Sequence, residues 1–191
     1  MLTFDSLKLI LLKSKPSIDL EENKDNLFKL IPELEASDGF NQNNVWHIYD
    51  ILTHIFKVVD GVPAILPLRV AALFHDIGKP YSCIKGDDNQ NHYPNHWILS
   101  QSIFQKYREL FNLPEEDLRL ITNLIYDHDR PLVRNEFYKE LYIDRYGKNL
   151  ELLFMLKEAD ILASNPIKHD EALKKLNETR DEYYTKIYVN H

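Results

Sequence analysis

Apolar residues recur every three or four positions along most of the chain, the spacing of helices that bury one face. The clearest case is the segment 46–59. Its apolar face consists of Ile48, Ile51, Leu52, Ile55 and Val59. The same spacing predicts further helices over Phe4–Lys13, Glu21–Ile31, Pro67–Phe74, His96–Phe111, Pro114–His128, Asn135–Tyr146, Leu150–Ala163 and His169–Val189. No segment alternates convincingly as a half-buried strand would, so the pattern predicts an all-α fold.

Helix-breaking residues predict where these helices end. Pro16 and Pro131 are expected to stop the helices before them, and Gly147 is a plausible C-cap. The segment 81–94 is polar and predicts a loop or lid. The final helix carries only a thin apolar stripe, made of Leu173, Leu176, Tyr183 and Ile187. We expect residues 1–40 to form a small helical appendage on the core and residues 41–191 to form the main domain.

Composition and charge narrow the class of protein. A chain of 191 residues with 44% hydrophobic residues can bury a proper core in one domain. Its net charge of −7 disfavours strong nucleic-acid binding, so RNA is not a favoured partner. The single cysteine, Cys83, cannot form an internal disulfide, which fits a reducing compartment. The early Asp5 and interrupting lysines do not resemble a signal peptide, and no run approaches a membrane span, so we expect a cytoplasmic protein.

An apolar run ends in the pair His75-Asp76, directly before Gly78 and Pro80. Adjacent residues within a helix point in different directions. At a helix end, however, the backbone can turn so that both side chains reach one point. An imidazole nitrogen beside a carboxylate oxygen suits divalent Mn, Fe, Co, Ni or Zn. The alternative is that Asp76 and Gly78 cap the helix and His75 is a core histidine.

Polar residues also occupy positions that the helical pattern assigns to the core. They are His54, His96, His128 and Asp160. Asp160 follows Leu156 by one turn, and His96 begins an inward stripe with Leu99 and Ile103. Each residue singly is more simply explained as a core or capping residue. Together with the His75-Asp76 pair they predict one metal site in the core of a helical bundle, because an ionised carboxylate facing a core must be paired or coordinated.

The order of these residues resembles the H…HD…D signature of the HD-domain superfamily of metal-dependent phosphohydrolases. His54, the pair His75-Asp76 and the distant Asp160 carry the signature. The flanking sequences are similar too: Leu-Phe-His-Asp-Ile-Gly-Lys surrounds the pair and Ala-Asp-Ile-Leu-Ala-Ser surrounds the last aspartate. The likeness covers residues 44–164. It implies a single HD-domain helical bundle with the metal site in its core.

The resemblance also implies which residues hold metal. The expected ligands of one ion are His54, His75, Asp76 and Asp160. Some members of the superfamily add two histidines that recruit a second metal bridged by the HD aspartate, and His96 and His128 match that pair. The implied cofactor is therefore one or two divalent ions, Mn, Ni, Co, Fe or Zn, with Mg as a further candidate.

A narrower resemblance concerns residues 31–54. Ile-Pro-Glu-Leu at 31–34, then Gln42, then Trp-His-Ile-Tyr-Asp-Ile-Leu-Thr-His at 46–54 look like the HD region of bacterial CCA-adding tRNA nucleotidyltransferases. The sequence shows no Gly-Ser or Gly-Gly turn before a strand carrying Asp-x-Asp, which marks the catalytic head of those enzymes. Their polymerising activity is therefore not expected, and only the HD module carries over.

The expected function is hydrolysis of a nucleotide or a phosphodiester, with 2′,3′-cyclic esters among the candidates. We expect Asp76 to bridge the metals and orient the attacking water, and Lys79 to contact a phosphate. Arg130 is a further candidate for a phosphate contact, and solvated surface charge is the alternative for both cations. His47 and Asp50 have two possible roles. They either hydrogen-bond to the ligand histidines and fix their tautomers, or they cap and solvate the start of their helix. The alternative function is a non-catalytic, metal-containing module that senses a nucleotide.

Overall fold

The computed structural model describes residues 2–132 and 135–189, with side chains described as far as Lys186. Almost all regular structure is helical, which confirms the predicted all-α class. The helices are α1 Phe4–Leu11, α2 Pro16–Glu22, α3 Lys24–Leu30, α4 Ile51–Gly61, α5 Leu66–Phe74, α6 Lys79–Ser82, α7 His96–Tyr107, α8 Glu115–Asp127, α9 Glu136–Tyr146, α10 Leu150–Leu162 and α11 His169–Val189. Short 3-10 segments cover Pro32–Ser37, Arg108–Phe111, Gly147–Asn149 and Pro166–Lys168. Two strands, β1 Ile84–Lys85 and β2 Asn91–His92, form a small antiparallel hairpin.

Helices α4, α5, α7, α8 and α10 surround the core. Helix α5 packs against α4 and α8, and α10 packs against α4, so their apolar faces meet in one layer of buried side chains. Phe74, Phe104 and Phe111 contact one another within this layer, with ring centroids 5.3–6.1 Å apart. No helix among the described residues is both long and apolar enough to cross a membrane.

The terminal helices pack on this bundle. Helix α1 lies against α5 and α2 lies against α4, which buries Leu7 and Leu20 in the same core, and Leu27 of α3 is buried there too. The division into 1–40 and 41–191 stays a prediction. Helix α11 packs on α10 and buries Tyr183, whereas the side chain of Ile187 lies outside the described residues.

Helix α4 begins at Ile51, not at residue 46 as the periodicity predicted. Asp50 ends the preceding loop because its Oδ1 accepts a hydrogen bond from the Thr53 N–H at 3.0 Å, a standard N-cap. The loop is held by Asn44, whose Oδ1 accepts from the N–H groups of residues 46 and 47. Ile48 therefore lies outside the helix and is 53% exposed, so its predicted place in the core was wrong.

The predicted helix over 21–31 is interrupted at Asn23: its first two residues end α2, and the rest corresponds to α3. Asn23 ends α2 with a side-chain hydrogen bond from its Nδ2 to the Asp19 carbonyl at 2.8 Å. The first helix ends at Leu11, before Pro16 as predicted, and Pro16 itself begins α2. A proline suits the first turn of a helix because its missing N–H would have no partner there.

The hairpin β1–β2 lies within the predicted polar loop 81–94 and was not predicted. Each strand has two residues, which is too short for alternation to be seen in the sequence. Hydrogen bonds fix the hairpin to the loop before α4. The Asn43 Nδ2 donates to the Asn89 carbonyl at 2.9 Å, and the Val45 N–H donates to Gln90 Oε1 at 3.0 Å.

Helix α7 buries a different face from the one predicted. Ile103 and His96 are buried, but Leu99, expected on the same inward stripe, is 36% exposed. Ser100 takes the inward position instead and is fully buried. Its Oγ accepts a hydrogen bond from the Gly78 N–H at 2.9 Å, which joins α7 to the turn after α5.

Candidate metal centre

Six polar side chains meet in the middle of the bundle, each brought there by a helix or a helix end. They are His54 of α4, His75 and Asp76 of the turn after α5, His96 at the start of α7, His128 at the end of α8 and Asp160 of α10. The four histidines and Asp76 are at most 3% exposed, and only the Asp160 side chain is partly open, at 22%. The structure therefore brings together every residue that the sequence predicted as a metal ligand.

The turn after α5 and the start of α7 are in close contact at Gly78. A Cβ atom at this position would lie 2.5 Å from the His96 carbonyl oxygen and 2.6 Å from the Ser100 nitrogen. Only glycine permits this approach of two backbones. The contact sets the position of His96 relative to His75 and Asp76.

Backbone carbonyls fix the tautomer of all four histidines. The Nδ1 atoms of His54, His75, His96 and His128 lie 2.7–3.2 Å from carbonyl oxygens, each on a different residue. A carbonyl oxygen only accepts, so each Nδ1 carries the proton and each neutral ring presents a lone pair at Nε2. Metal-binding histidines are commonly oriented by such a contact from outside the site.

The lone pairs are directed at one another in two pairs. The Nε2 atoms of His54 and His75 are 3.3 Å apart, and those of His96 and His128 are 3.1 Å apart. Two acceptors at this distance repel unless a proton or a cation lies with them. The arrangement therefore calls for positive charge at two neighbouring points.

Asp76 lies between the two histidine pairs and faces each with one oxygen. Its Oδ2 is 3.3 Å from the Nε2 of His54 and 3.4 Å from that of His75. Its Oδ1 is 3.2 Å from the Nε2 of His96 and 3.3 Å from that of His128. Among the described residues Oδ1 has no hydrogen-bond donor, whereas Oδ2 also lies 2.6 Å from the Lys79 ammonium nitrogen. Carboxylate oxygens beside imidazole lone pairs form a donor set that fits divalent transition metals.

Asp160 completes the first donor set. Its Oδ1 lies 3.0 Å from the His54 Nε2, so two carboxylates and two imidazoles surround one point. Asp76, His96 and His128 surround the second point. The residues present thus fit one ion at the first point, and Asp76, His96 and His128 would hold a second.

The two carboxylates make the electrostatic potential at the first donor set negative, as the pKa of His54 indicates. Burial alone lowers the pKa of His54, but Asp160 and Asp76 outweigh it and raise that pKa to about 9. Burial raises the pKa of the Asp76 carboxyl, yet Lys79 and His75 hold it well below its usual range. Both carboxyl groups therefore favour the ionised form, and their charge favours a cation beside them, such as a proton on His54.

Lys79 is buried at the inner wall of the centre rather than solvated, which excludes the surface-charge alternative for this residue. It is 5% exposed, and its Nζ lies 2.6 Å from Asp76 Oδ2 and 3.4 Å from His47 Nε2. The Nζ also donates to Gln42 Oε1 at 3.1 Å. Burial, followed by the charge of Lys79, lowers the pKa of His47 to about 3, so His47 is neutral.

Two other predicted residues lie away from the ligand cluster. The Asp50 carboxylate accepts hydrogen bonds from Thr53 and caps α4. Of the two roles considered for Asp50, the structure therefore supports the cap. The Arg130 guanidinium lies 4.6 Å from the Tyr126 ring centroid and 3.5 Å from Asp127 Oδ1. Arg130 does not line the cavity formed by the described residues, so the structure does not bring it to a substrate.

Sequence reasoning missed two buried charges behind His128. The Lys157 Nζ donates to the carbonyls of His128 and Arg130 at 2.6 and 2.8 Å, and burial lowers its pKa to about 8. Asp127 is fully buried and accepts from Arg145 at 2.6 Å, among other donors. The signal that identified Asp160, a charge on an apolar helical face, was also available for Lys157.

Replacing Lys157 with methionine is expected to destabilise the protein by roughly 2–3 kcal/mol, because two carbonyls lose their donor in a dry site. Methionine keeps most of the volume, so the loss reports the hydrogen bonds. Urea unfolding measures it, with Lys175→Met, at an exposed position of α11, as the matched control. Equal unfolding midpoints for both variants would contradict the role assigned to Lys157.

Removing divalent metal is expected to lower the thermal stability. A ligand at one hundred times its Kd stabilises the folded state by about 2.7 kcal/mol, which for a chain of this size is a shift of about 5–10 °C in Tm. The measurement compares chelator-treated protein with and without added Mn²⁺ or Ni²⁺. An unchanged Tm with every ion tested would mean that the histidine pairs do not bind metal.

A cavity of about 550 Å³ opens in front of the centre. Its inner wall includes Asp76 and Lys79, and its outer wall includes Trp46, Tyr93 and Lys168. This volume falls in the range of small-molecule sites. A small substrate can therefore reach the buried ligands from one side.

Comparison with known proteins agrees with this geometry. The family model described as HD domain matches residues 47–165, which is more than half of the chain and includes all six residues of the cluster. The search of curated proteins found no match.

Proposed function

The chain belongs to the HD domain family, and on that premise we propose that it is a metal-dependent phosphohydrolase acting on a nucleotide or phosphodiester. One observation carries the proposal: the two oxygens of Asp76 face two separate sets of donors. His54, His75 and Asp160 would hold one divalent ion with Asp76. His96 and His128 would hold the second. The donor chemistry suits Mn, Ni, Co, Fe or Zn, with Mg as a further candidate.

The ions, when bound, supply the positive charge that activates water and neutralises phosphoryl oxygens. The protein contributes the geometry. Asp76 spans both donor sets and orients the attacking water. Lys79 keeps the Asp76 carboxylate in position and, as a cation at the inner wall of the cavity, contacts a phosphoryl oxygen. The buried carbonyl contacts of the histidines keep each Nε2 lone pair directed inward, so no reorganisation is needed during reaction.

A non-catalytic, metal-containing module that senses a nucleotide is the second candidate. The observation that favours it is the short ion pair between Lys79 and Asp76, 2.6 Å from Nζ to Oδ2. The ammonium group faces the same oxygen as His54 and His75 and competes with an ion for its charge. A protein that kept this ion pair would bind ligand without activating water.

The choice of a nucleotide is supported by the likeness of residues 31–54 to the HD region of CCA-adding enzymes. RNA as a partner is not part of the proposal, because the net charge is −7. A steep fall of RNA binding with rising salt would reverse that choice.

The test measures metal content of the purified protein together with hydrolysis of four substrates. These are nitrophenyl phosphate, bis-nitrophenyl phosphate, 2′,3′-cyclic AMP and AMP, each with Mn²⁺, Ni²⁺, Co²⁺ or Mg²⁺. We expect metal-dependent turnover of at least one substrate that is lost in Asp76→Ala. Bound metal without turnover of any substrate supports the sensing module, and absence of bound metal contradicts both candidates.

A further inference from the structure

An indole ring is exposed at the mouth of the cavity that leads to the metal centre. Trp46 is 54% exposed and lines the same cavity as Asp76, Lys79 and His96. Large aromatic rings are usually buried, and one held open beside a polar site is typical of a surface that contacts a ligand. Its position in the cavity separates it from other exposed aromatic side chains such as Phe137, which does not line the cavity.

The backbone around Trp46 is held from both sides. Its N–H donates to Asn44 Oδ1 at 3.0 Å, and its carbonyl accepts from the Asn165 N–H at 2.7 Å. The neighbouring Val45 is held by Gln90 Oε1 and by Asn165 Nδ2. The loop before α4, the hairpin and the segment after α10 therefore all hold the backbone that carries the indole, and a ligand that contacts the ring meets an ordered loop.

The ammonium group of a lysine lies over the indole ring in a cation–π contact. The Lys168 Nζ lies 5.3 Å from the Trp46 ring centroid, and the described residues offer it no carboxylate partner. The other lysine of the cavity wall, Lys79, is already paired with Asp76. The outer wall thus offers an aromatic ring and an ammonium group that lies over this ring, while the inner wall offers the charges that bind a phosphate.

We propose that Trp46 is the platform on which a nucleobase stacks while its phosphate lies at the metal centre, and that Lys168 donates to acceptor atoms at the edge of that base. The inference rests on the proposed function and concerns the same site. Stacking accepts any base because every base has an aromatic face, and each base carries ring nitrogen or carbonyl acceptors. The site therefore selects nucleotides as a class over phosphate esters that lack a base.

Binding is tested by the fluorescence of Trp46 itself, which does not require turnover. The chain has two tryptophans, so Trp97→Phe leaves Trp46 as the sole reporter. The titrants are AMP and ribose 5-phosphate, which share the sugar phosphate and differ in the base. Zn²⁺ is the added ion, because its filled d shell makes it redox-inactive. We expect saturable quenching by AMP and none by ribose 5-phosphate at the same concentration.

Kinetics with the same two compounds tests selectivity. Trp46→Ala is expected to lower kcat/KM for AMP by about 10- to 100-fold and to leave ribose 5-phosphate unchanged. Trp46→Phe should recover most of the loss, and Lys168→Met should lower kcat/KM for AMP alone. Phe137→Ala removes an exposed aromatic ring outside the cavity and is the matched control.

The outcomes separate this inference from the proposed function. Quenching by AMP in a protein that hydrolyses nothing supports the platform and contradicts the hydrolase. Hydrolysis of both compounds with equal losses in Trp46→Ala, or absence of quenching by AMP, overturns the platform and leaves the hydrolase standing. Equal losses would mean that Trp46 only supports the loop before α4.

Discussion

Replacing Asp76 with asparagine is expected to abolish turnover, with a fall in kcat of at least roughly a thousand-fold, and to empty both metal positions. Asparagine has the same shape, but it removes the negative charge that both donor sets share. Its amide nitrogen would also present hydrogens to one histidine pair, where the carboxylate presents a lone pair. Losing one residue therefore changes both points of the centre, whereas losing His96 or Asp160 changes only one.

The measurement is metal stoichiometry by mass spectrometry beside initial rates on the preferred substrate. Asp5→Asn, at an exposed carboxylate near the start of α1, is the matched control for loss of one charge. Retention of two ions by Asp76→Asn, with rates within ten-fold of the natural protein, would show that Asp76 does not bridge them.

A double variant distinguishes loss of metal from loss of structure. Asp76→Asn alone leaves the buried Lys79 ammonium without its 2.6 Å partner, and removing one member of a buried ion pair typically costs about 3–5 kcal/mol. Asp76→Asn with Lys79→Met removes both charges. We expect the double variant to regain stability in urea without regaining metal. Recovery of metal by the double variant would mean that the single variant failed only because it unfolded.

The ligand cluster could be predicted from the sequence because its residues break a pattern. His128 and Asp160 are polar side chains on helical faces that otherwise carry leucine and isoleucine, and a helix face is a local property of the chain. The all-α class could also be predicted, because the helical spacing of apolar residues is a local property of the chain. The HD domain family match confirms the resemblance that rested on His54, the His75-Asp76 pair and Asp160.

The features that could not be predicted depend on contacts distant in sequence. The sequence left solvated surface charge open as an alternative for Lys79, and the hydrogen bond to Gln42, 37 positions away, shows that Lys79 is instead buried. The start of α4 was misplaced because helical periodicity does not reveal that Asn44 and Asp50 hold a turn between them. The cavity mouth depends on the hairpin, whose strands are too short to leave a pattern. Substrate selectivity is therefore harder to predict from sequence than the metal ligands are.

Replacing Gly78 with alanine is expected to destabilise the protein by about 3 kcal/mol or more and to remove one metal position selectively. The added Cβ would lie 2.5 Å from the His96 carbonyl oxygen and 2.6 Å from the Ser100 nitrogen, and neither backbone atom can rotate away. Overpacking of this kind costs about 1–3 kcal/mol, and moving α7 also breaks the hydrogen bond between Gly78 and Ser100. Metal distances tolerate only about 0.2 Å, so a shift of α7 large enough to relieve the contact takes His96 out of reach. His54, His75 and Asp160 do not lie on α7 and should still hold their ion.

Two control variants separate the crowding at Gly78 from the hydrogen bond beside it. Ser100→Ala removes the acceptor without adding an atom and should cost only about 1–2 kcal/mol. Gly61→Ala adds a Cβ 3.2 Å from the Ala159 side chain, a milder contact between α4 and α10 that a small adjustment relieves. The expected order of metal content is two ions in both controls and one in Gly78→Ala. The prediction is contradicted if Gly78→Ala binds two ions and unfolds at the same urea concentration as Ser100→Ala. That result would show that α7 can move at little cost in free energy. The position of His96 would then be set by the ion rather than by the fold.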